Sequence, residues 1–216
     1  MASQKAVRSL LRERPHPPAK LCTPNGGDLF CPAMEIDAWA RQHIIRDDGA
    51  IHNAVHRHLN FARIGWLWTS VPNSKAGNDI VGTCEVPRCQ GNKWLKARVD
   101  AQLDAWFGAV NLDFLITLYA PYCDAAEDAA FCQLCDHELG HAGQAKDDFK
   151  APKFSPQTGL PMFAPRGHDL EGFVFEGERY GASNGPGKAA EYVRAVNLPP
   201  TVSAVKIALA CGTCLG

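Results

Sequence analysis

The sequence predicts a single α+β domain in which a small sheet is packed against several helices. Three stretches have the β-branched and aromatic content of strands, at residues 62–71, 79–86 and 112–120. Other stretches place apolar residues at intervals of three or four, which is the period of an amphipathic helix. With 216 residues, of which 46% are hydrophobic, the chain is long and apolar enough for one buried core.

Both ends of the chain are predicted to lie outside this domain. Residues 1–32 are rich in proline, glycine and basic side chains and show no sustained periodicity, so we expect a poorly ordered N-terminal extension. The domain itself is expected over residues 33–181, and residues 182–216 are expected to form a C-terminal extension.

The first part of the domain is predicted to be helical and then to enter the sheet. Apolar residues from Ile36 to Leu59 follow a helical rhythm that is interrupted at residues 46–50, which predicts two helices or one broken helix. The strand-like stretches 62–71 and 79–86 are separated by a turn-like segment, so we expect them to form a strand pair.

An amphipathic helix and a buried strand are predicted to follow. Four apolar side chains recur at steps of four residues, namely Leu95, Val99, Leu103 and Phe107. This spacing predicts a helix over residues 94–110 that packs on the sheet. The strand at residues 112–120 is apolar enough to lie inside that sheet.

The next predicted helix carries the residues "HELGH" at positions 137–141. Asp124 followed by Glu127 resembles a capping box, and no glycine or proline occurs until Gly140, so a helix of about five turns is expected to start near Asp124. Because a helical turn takes about 3.6 residues, His137 and His141 would project from one face of this helix. Both imidazoles could then bind one metal ion.

The spacing His-Glu-x-x-His on a helix is typical of a catalytic zinc site. It supplies two zinc ligands, His137 and His141, and a carboxylate, Glu138, that can act as general base. A catalytic zinc takes three protein ligands and keeps its fourth position for water. The sequence therefore predicts a third ligand elsewhere in the chain.

The third ligand is expected in the stretch "GHDLEGFVFEGERYG", residues 167–181. A polar, proline-rich connection over residues 144–166 can bring this stretch back to the metal helix. We favour His168, because Asp169 can then cap a following helix and Glu171 can occupy its first turn. Glu171 is the alternative third ligand, with His168 facing the substrate or supporting the site.

Several of these segments together resemble the putative phage metallopeptidase family, whose members look like small zincins. The resemblance is carried by residues 112–142, by "HDLEGF" and by "ERYG", and it extends to the strands "ARIGWLW" and "DIVGTCEV", so it covers roughly residues 34–181. This chain departs from the family pattern at Gly172, where a second acidic residue is expected, and in its long terminal extensions.

The resemblance implies a zincin-like metallopeptidase domain, a zinc cofactor (Zn2+) and a peptide or protein substrate. The implied reaction is hydrolysis of peptide bonds by a metal-activated water in a peptidase of phage or prophage type. Tyr180, in "ERYG", is a candidate donor to the developing oxyanion if its helix packs over the site.

Other candidate metal sites are weaker. Cys132-x-x-Cys135 and Cys211-x-x-Cys214 have the composition of a zinc ribbon, but their separation is too long and the first pair lies on the metal helix, where buried thiols are favoured. Cys84 and Cys89 are expected to be free thiols. His52 and His56 are also four residues apart, but Asn53 stands where a base is needed, so a surface or helix-end role is expected.

The overall charge and hydropathy limit the partners. A net charge of −1 and a pI near 6.7 do not support nucleic-acid binding. The sequence shows no apolar run of the roughly 18 residues that a membrane span needs, and residues 1–20 lack the apolar core of a signal peptide. We therefore expect a cytoplasmic protein, in a bacterial host if the gene belongs to a phage; the oligomeric state stays open.

Two other functions are compatible with the sequence. One is a non-enzymatic zinc-binding protein with a structural or vestigial site, which a closed fourth metal position would favour. The other is a Spartan-like DNA-associated protease, which should present a basic face despite the neutral total charge.

Overall fold

The computed structural model describes residues 13–23, 27, 29–75, 77–108, 111–169 and 188–199. Its helices are α1 (Ala19–Cys22), α2 (Met34–Ala40), α3 (Lys93–Phe107), α4 (Ala120–Ala125), α5 (Asp128–His141) and α6 (Lys188–Val196). A π-helical turn, Arg41–Ile45, continues α2, and a 3-10 helix spans Ala54–Phe61. The strands are β1 (Phe30–Pro32), β2 (Ile64–Thr69), β3 (Asn73–Lys75), β4 (Asn78–Ile80), β5 (Gly82–Glu85), β6 (Phe114–Tyr119), β7 (Ala142–Gln144) and β8 (Phe163–Pro165). This mixture confirms the predicted α+β class.

The main sheet has four strands in the order β1-β2-β6-β5. β2 and β6 are parallel, while β1 and β5 pair with them in antiparallel fashion. The predicted pairing of residues 62–71 with 79–86 is wrong, because β6 lies between β2 and β5. β2 is buried at all six positions and therefore belongs in the centre, whereas β5 carries the exposed Glu85 and forms an edge. The turn-like segment between them contains the β3–β4 hairpin.

Different helices cover the two faces of the sheet. The main core joins one face to α5 and includes Trp66, Trp68, Ile116, Leu118, Phe131, Leu134 and Leu139. On the opposite face, Leu103 of α3 clusters with Leu67 and Leu115, which confirms the prediction of a helix packed on the sheet. The helix that carries the "HELGH" residues is thus held against the sheet by a large apolar surface.

The described part of residues 1–32 packs on the domain, which differs from the predicted poorly ordered extension. Leu21 is 1% exposed, and β1 pairs with β2 at the edge of the sheet. Arg14 is 4% exposed, donates from Nε to Asp128 Oδ1 over 2.9 Å, and lies above the ring of Phe131. Single contacts of this kind produce no periodic pattern in the sequence. Neither periodicity nor composition therefore indicated that this segment packs on the domain.

The predicted five-turn helix from Asp124 is divided into two helices. α4 ends at Ala125, and α5 begins at Asp128, so Asp124 lies inside α4 rather than at the start of the metal helix. The guanidinium of Arg14 donates to the carbonyl oxygens of Cys123 and Ala126 at this break. Those contacts satisfy backbone acceptors at the end of α4 and so stabilise the interruption.

A return ribbon, residues 142–169, brings the chain back to the end of α5. β7 pairs with β8, and two further bridges, Lys146 with Pro152 and Phe154 with Pro161, order the connection between them. Arg166 N donates to the carbonyl of His141, so the strand end lies beside the last turn of the helix. Within the described residues, no helix is both long and apolar enough to cross a membrane.

Candidate metal centre

His137 and His141 lie in the last turn of α5, as the sequence predicted. Their Nε2 atoms are 3.3 Å apart, and their ring centroids are 5.0 Å apart. His141 is 3% exposed and His137 is half-buried. The helix therefore brings two imidazole nitrogens close to one point.

The ring of His141 is oriented by the return ribbon. Its Nδ1 lies 2.7 Å from the carbonyl oxygen of Arg166. A carbonyl oxygen can only accept a hydrogen bond, so Nδ1 carries the proton and Nε2 presents its lone pair towards His137. Backbone contacts of this type fix the tautomer and the ring orientation of metal-binding histidines.

His168 joins the two helical histidines from the end of the return ribbon. Its Nε2 is 3.3 Å from His137 Nε2, and its ring centroid lies 4.9 Å from that of His141. The side chain is exposed, unlike that of His141. Glu171, the alternative ligand, and Tyr180, the candidate oxyanion donor, lie outside the described residues.

The three imidazoles have the spacing that a metal ion requires. One ligand atom from each of His137, His141 and His168 lies within 4.8 Å of the others. Tetrahedral Zn–N bonds of about 2.0–2.1 Å place ligand nitrogens about 3.3–3.4 Å apart. The two Nε2–Nε2 distances that involve His137 are both 3.3 Å, which is compatible with this spacing, so the group could hold a metal ion.

Glu138 is buried between α5 and the edge strand β5. It is 0% exposed although it neighbours His137, because its position on the helix faces the sheet. Its Oε1 lies so near Gly82 that a Cβ at that glycine would be 2.6 Å away. The carboxylate is thus enclosed by protein on the side of the sheet.

The segment before β2 holds the metal helix through contacts that the sequence analysis missed. Asp136 Oδ1 lies 2.7 Å from His56 Nε2 and accepts a hydrogen bond from Asn53 Nδ2 at 3.0 Å. His58 Nε2 donates to the carbonyl of Ala142 at 2.8 Å, and burial lowers the pKa of His58. These contacts join residues about eighty positions apart, so no local spacing could have indicated them.

Of the two expected roles, the surface role is wrong for His56, which is 2% exposed and lies in the first turn of the 3-10 helix. Its predicted companion, His52, is half-buried instead, with Nε2 3.6 Å from Asp47 Oδ1. Asp169, expected to cap a helix, accepts a hydrogen bond from the Arg166 guanidinium at 2.7 Å. This ion pair joins residues on either side of His168 in the chain.

The cysteines of the described chain lie outside the histidine group. Burial raises the pKa of Cys123 and of Cys132 to about 12, and it raises the pKa of Cys135 well above its ordinary value. Such thiols stay protonated at neutral pH, which confirms the expected role of Cys132 and Cys135 as buried apolar groups. Cys89 is a free thiol, so it does not pair with Cys84. Cys211 and Cys214 lie outside the described residues.

The family described as putative phage metallopeptidase matches residues 37–197, which is more than half of the chain. The matched range includes α5, the return ribbon and all three clustered histidines. No curated protein and no solved structure matches the chain. The chain therefore belongs to the putative phage metallopeptidase family.

Proposed function

We propose that this protein is a zinc-dependent peptidase of phage or prophage type that hydrolyses peptide bonds with a metal-activated water. His137, His141 and His168 are the metal ligands, and Glu138 is the general base. The observation that carries the proposal is the convergence of three imidazoles at the spacing of zinc ligands, next to a glutamate that is 0% exposed.

The chemistry divides between the ion and the chain's own residues. When bound, zinc lowers the pKa of a water molecule towards neutrality and polarises a carbonyl group. Glu138 accepts the proton of the attacking water and passes it to the leaving amine. Arg166, through its carbonyl oxygen, keeps His141 in the tautomer whose Nε2 can bind the ion. Tyr180 is retained as the proposed donor to the oxyanion.

A peptide substrate is supported by the edge of the sheet beside Glu138. β5 is an edge strand, and its first residue, Gly82, is in contact distance of the Glu138 carboxylate. An extended peptide can add to an exposed strand edge through main-chain hydrogen bonds. Such pairing would bring a peptide bond next to the proposed base.

The non-enzymatic alternative, with a closed metal site, is less well supported. A closed fourth metal position would need a further ligand, such as the Cys135 thiol or another carboxylate. Cys135 is fully buried in the core, and the histidine group found among the described residues does not include it. A position for water on the metal is therefore compatible with the arrangement.

The substitution Glu138→Gln tests the proposal. The amide keeps the shape of the side chain but cannot accept the proton, so zinc should stay bound while turnover of a mixed peptide library falls by about two to four orders of magnitude. Equal turnover by the wild type and the variant would remove Glu138 from the mechanism. Stoichiometric zinc with no turnover by either protein would favour the zinc-binding protein instead.

A further inference from the structure

Gly82, the first residue of the edge strand β5, lies directly against the carboxylate of Glu138. A Cβ added at Gly82 would be 2.6 Å from Glu138 Oε1 and 3.0 Å from Glu138 Cδ. It would also be 3.0 Å from Leu134 Cδ1, one turn earlier on α5. These separations are shorter than van der Waals contact, so any side chain at position 82 must displace something.

The conformation of Gly82 does not itself require glycine. Among the described residues, the glycines with positive φ are Gly27, Gly77, Gly108 and Gly159. Gly82 has an ordinary strand conformation and pairs with Leu118 of β6 in the ladder. The requirement at this position is therefore space rather than backbone freedom.

We propose that Gly82 is a positioning residue for Glu138: its missing side chain leaves the space on the edge strand in which the carboxylate lies. The contact follows from geometry alone, whereas its catalytic consequence rests on the proposed function. A methyl group at position 82 would displace the carboxylate from the place it occupies against β5.

The carboxylate is the group that has to yield. The backbone of Gly82 is held by its pairing with β6, and Leu134 is 1% exposed in the core. The end of the glutamate side chain can instead turn about its own torsions at a lower energetic cost. None of the three histidines meets the added Cβ within its nearest contacts, so the metal ligands should stay in place.

The catalytic effect of such a displacement should be large compared with its effect on folding. A misplacement of about 1 Å in a reacting group can lower a rate by about a hundredfold. We therefore expect Gly82→Ala to keep stoichiometric zinc, to leave KM nearly unchanged and to lower kcat by about two orders of magnitude.

A double-mutant cycle in thermal unfolding tests the contact without relying on activity. The four proteins are the wild type, Gly82→Ala, Glu138→Ala and the double variant. Gly82→Ala should lower Tm by about 2–4 °C in the wild-type background. In the Glu138→Ala background the same change should lower Tm less or raise it, because the two clashing atoms of Glu138 are gone, only Leu134 Cδ1 remains close, and the methyl group fills part of the space.

Gly140→Ala is the matched control. Gly140 lies on α5 itself, between Glu138 and His141, but a Cβ there meets nothing within 4 Å, so Tm and kcat should not fall.

Equal Tm losses from Gly82→Ala in both backgrounds would overturn the proposal, as would full kcat in Gly82→Ala. If Gly82→Ala does not fold, recovery of folding in the double variant supports the contact. Absence of turnover by the wild type would reject the peptidase function. The double-mutant cycle in Tm would still test the contact between Gly82 and Glu138.

Discussion

The two halves of the histidine site are built by different means. His137 and His141 are four residues apart on one helix, and the helix places their Nε2 atoms 3.3 Å apart. His168 reaches the same point through the return ribbon and is exposed, whereas His141 is 3% exposed. Helix geometry brings the first two histidines together, and the ribbon adds one contact that orients the His141 ring, whereas His168 is placed by the ribbon itself. The ribbon half should therefore be the easier one to disturb.

Among single substitutions in the ribbon, the largest effect should come from removing its proposed ligand. His168→Ala should weaken zinc affinity severely, while Glu171→Ala should weaken it by about ten to a hundredfold at most, as expected for a residue outside the ligand set. A competitive chelator titration gives the ranking, with the double variant His137→Ala, His141→Ala as the protein expected to lose zinc altogether. The reverse order would make Glu171 the third ligand, and zinc retained by the double variant would place the metal elsewhere.

A smaller effect is expected when the ribbon is disturbed without removing a ligand. A Cβ at Gly143 of β7 would lie 2.9 Å from the carbonyl oxygen of Ala164 and 2.9 Å from Arg166 Cβ. Gly143→Ala should push Arg166 away from His141 and weaken zinc affinity by about ten to a hundredfold. Gly167→Ala is the control in the same ribbon, because a Cβ there meets nothing within 4 Å. Equal affinities of the two variants would show that the ribbon's position does not govern metal binding.

The same division explains what the sequence could predict. The strands β2 and β6, the helix α3 and the shared face of His137 and His141 follow from local periods, and all are present. The pairing of β2 with β6 was missed, because the choice of neighbour depends on which strands are buried on both faces. Likewise, the contact of His56 with Asp136 joins residues eighty positions apart and leaves no local pattern.

The smallest expected effect concerns His58, which contacts both strands of the return ribbon, β7 and β8. Its Nε2 donates to the carbonyl of Ala142 at the end of the helix, and its ring lies 6.4 Å from that of Phe163 in β8. Burial of the ring lowers its pKa below the ordinary value of 6.5. Between the folded and unfolded pKa values, the unfolded chain binds more protons, so acid favours unfolding. The stability contributed by neutral His58 is thus present above pH 6.5 and is lost as pH falls through the folded pKa.

Replacing His58 with glutamine separates this titration from the others. The amide of His58→Gln can still donate to Ala142 but does not titrate, and the three clustered histidines are the same in both proteins. In metal-free samples, the wild type should lose more Tm than His58→Gln between about pH 7.5 and about pH 5, with a difference of no more than about 2–4 °C. Parallel Tm curves would mean that His58 stays in the same protonation state on folding. A steeper loss of Tm in the variant would mean that folding raises the pKa of His58 instead of lowering it. The charged ring would then be the form that joins the helix to the ribbon.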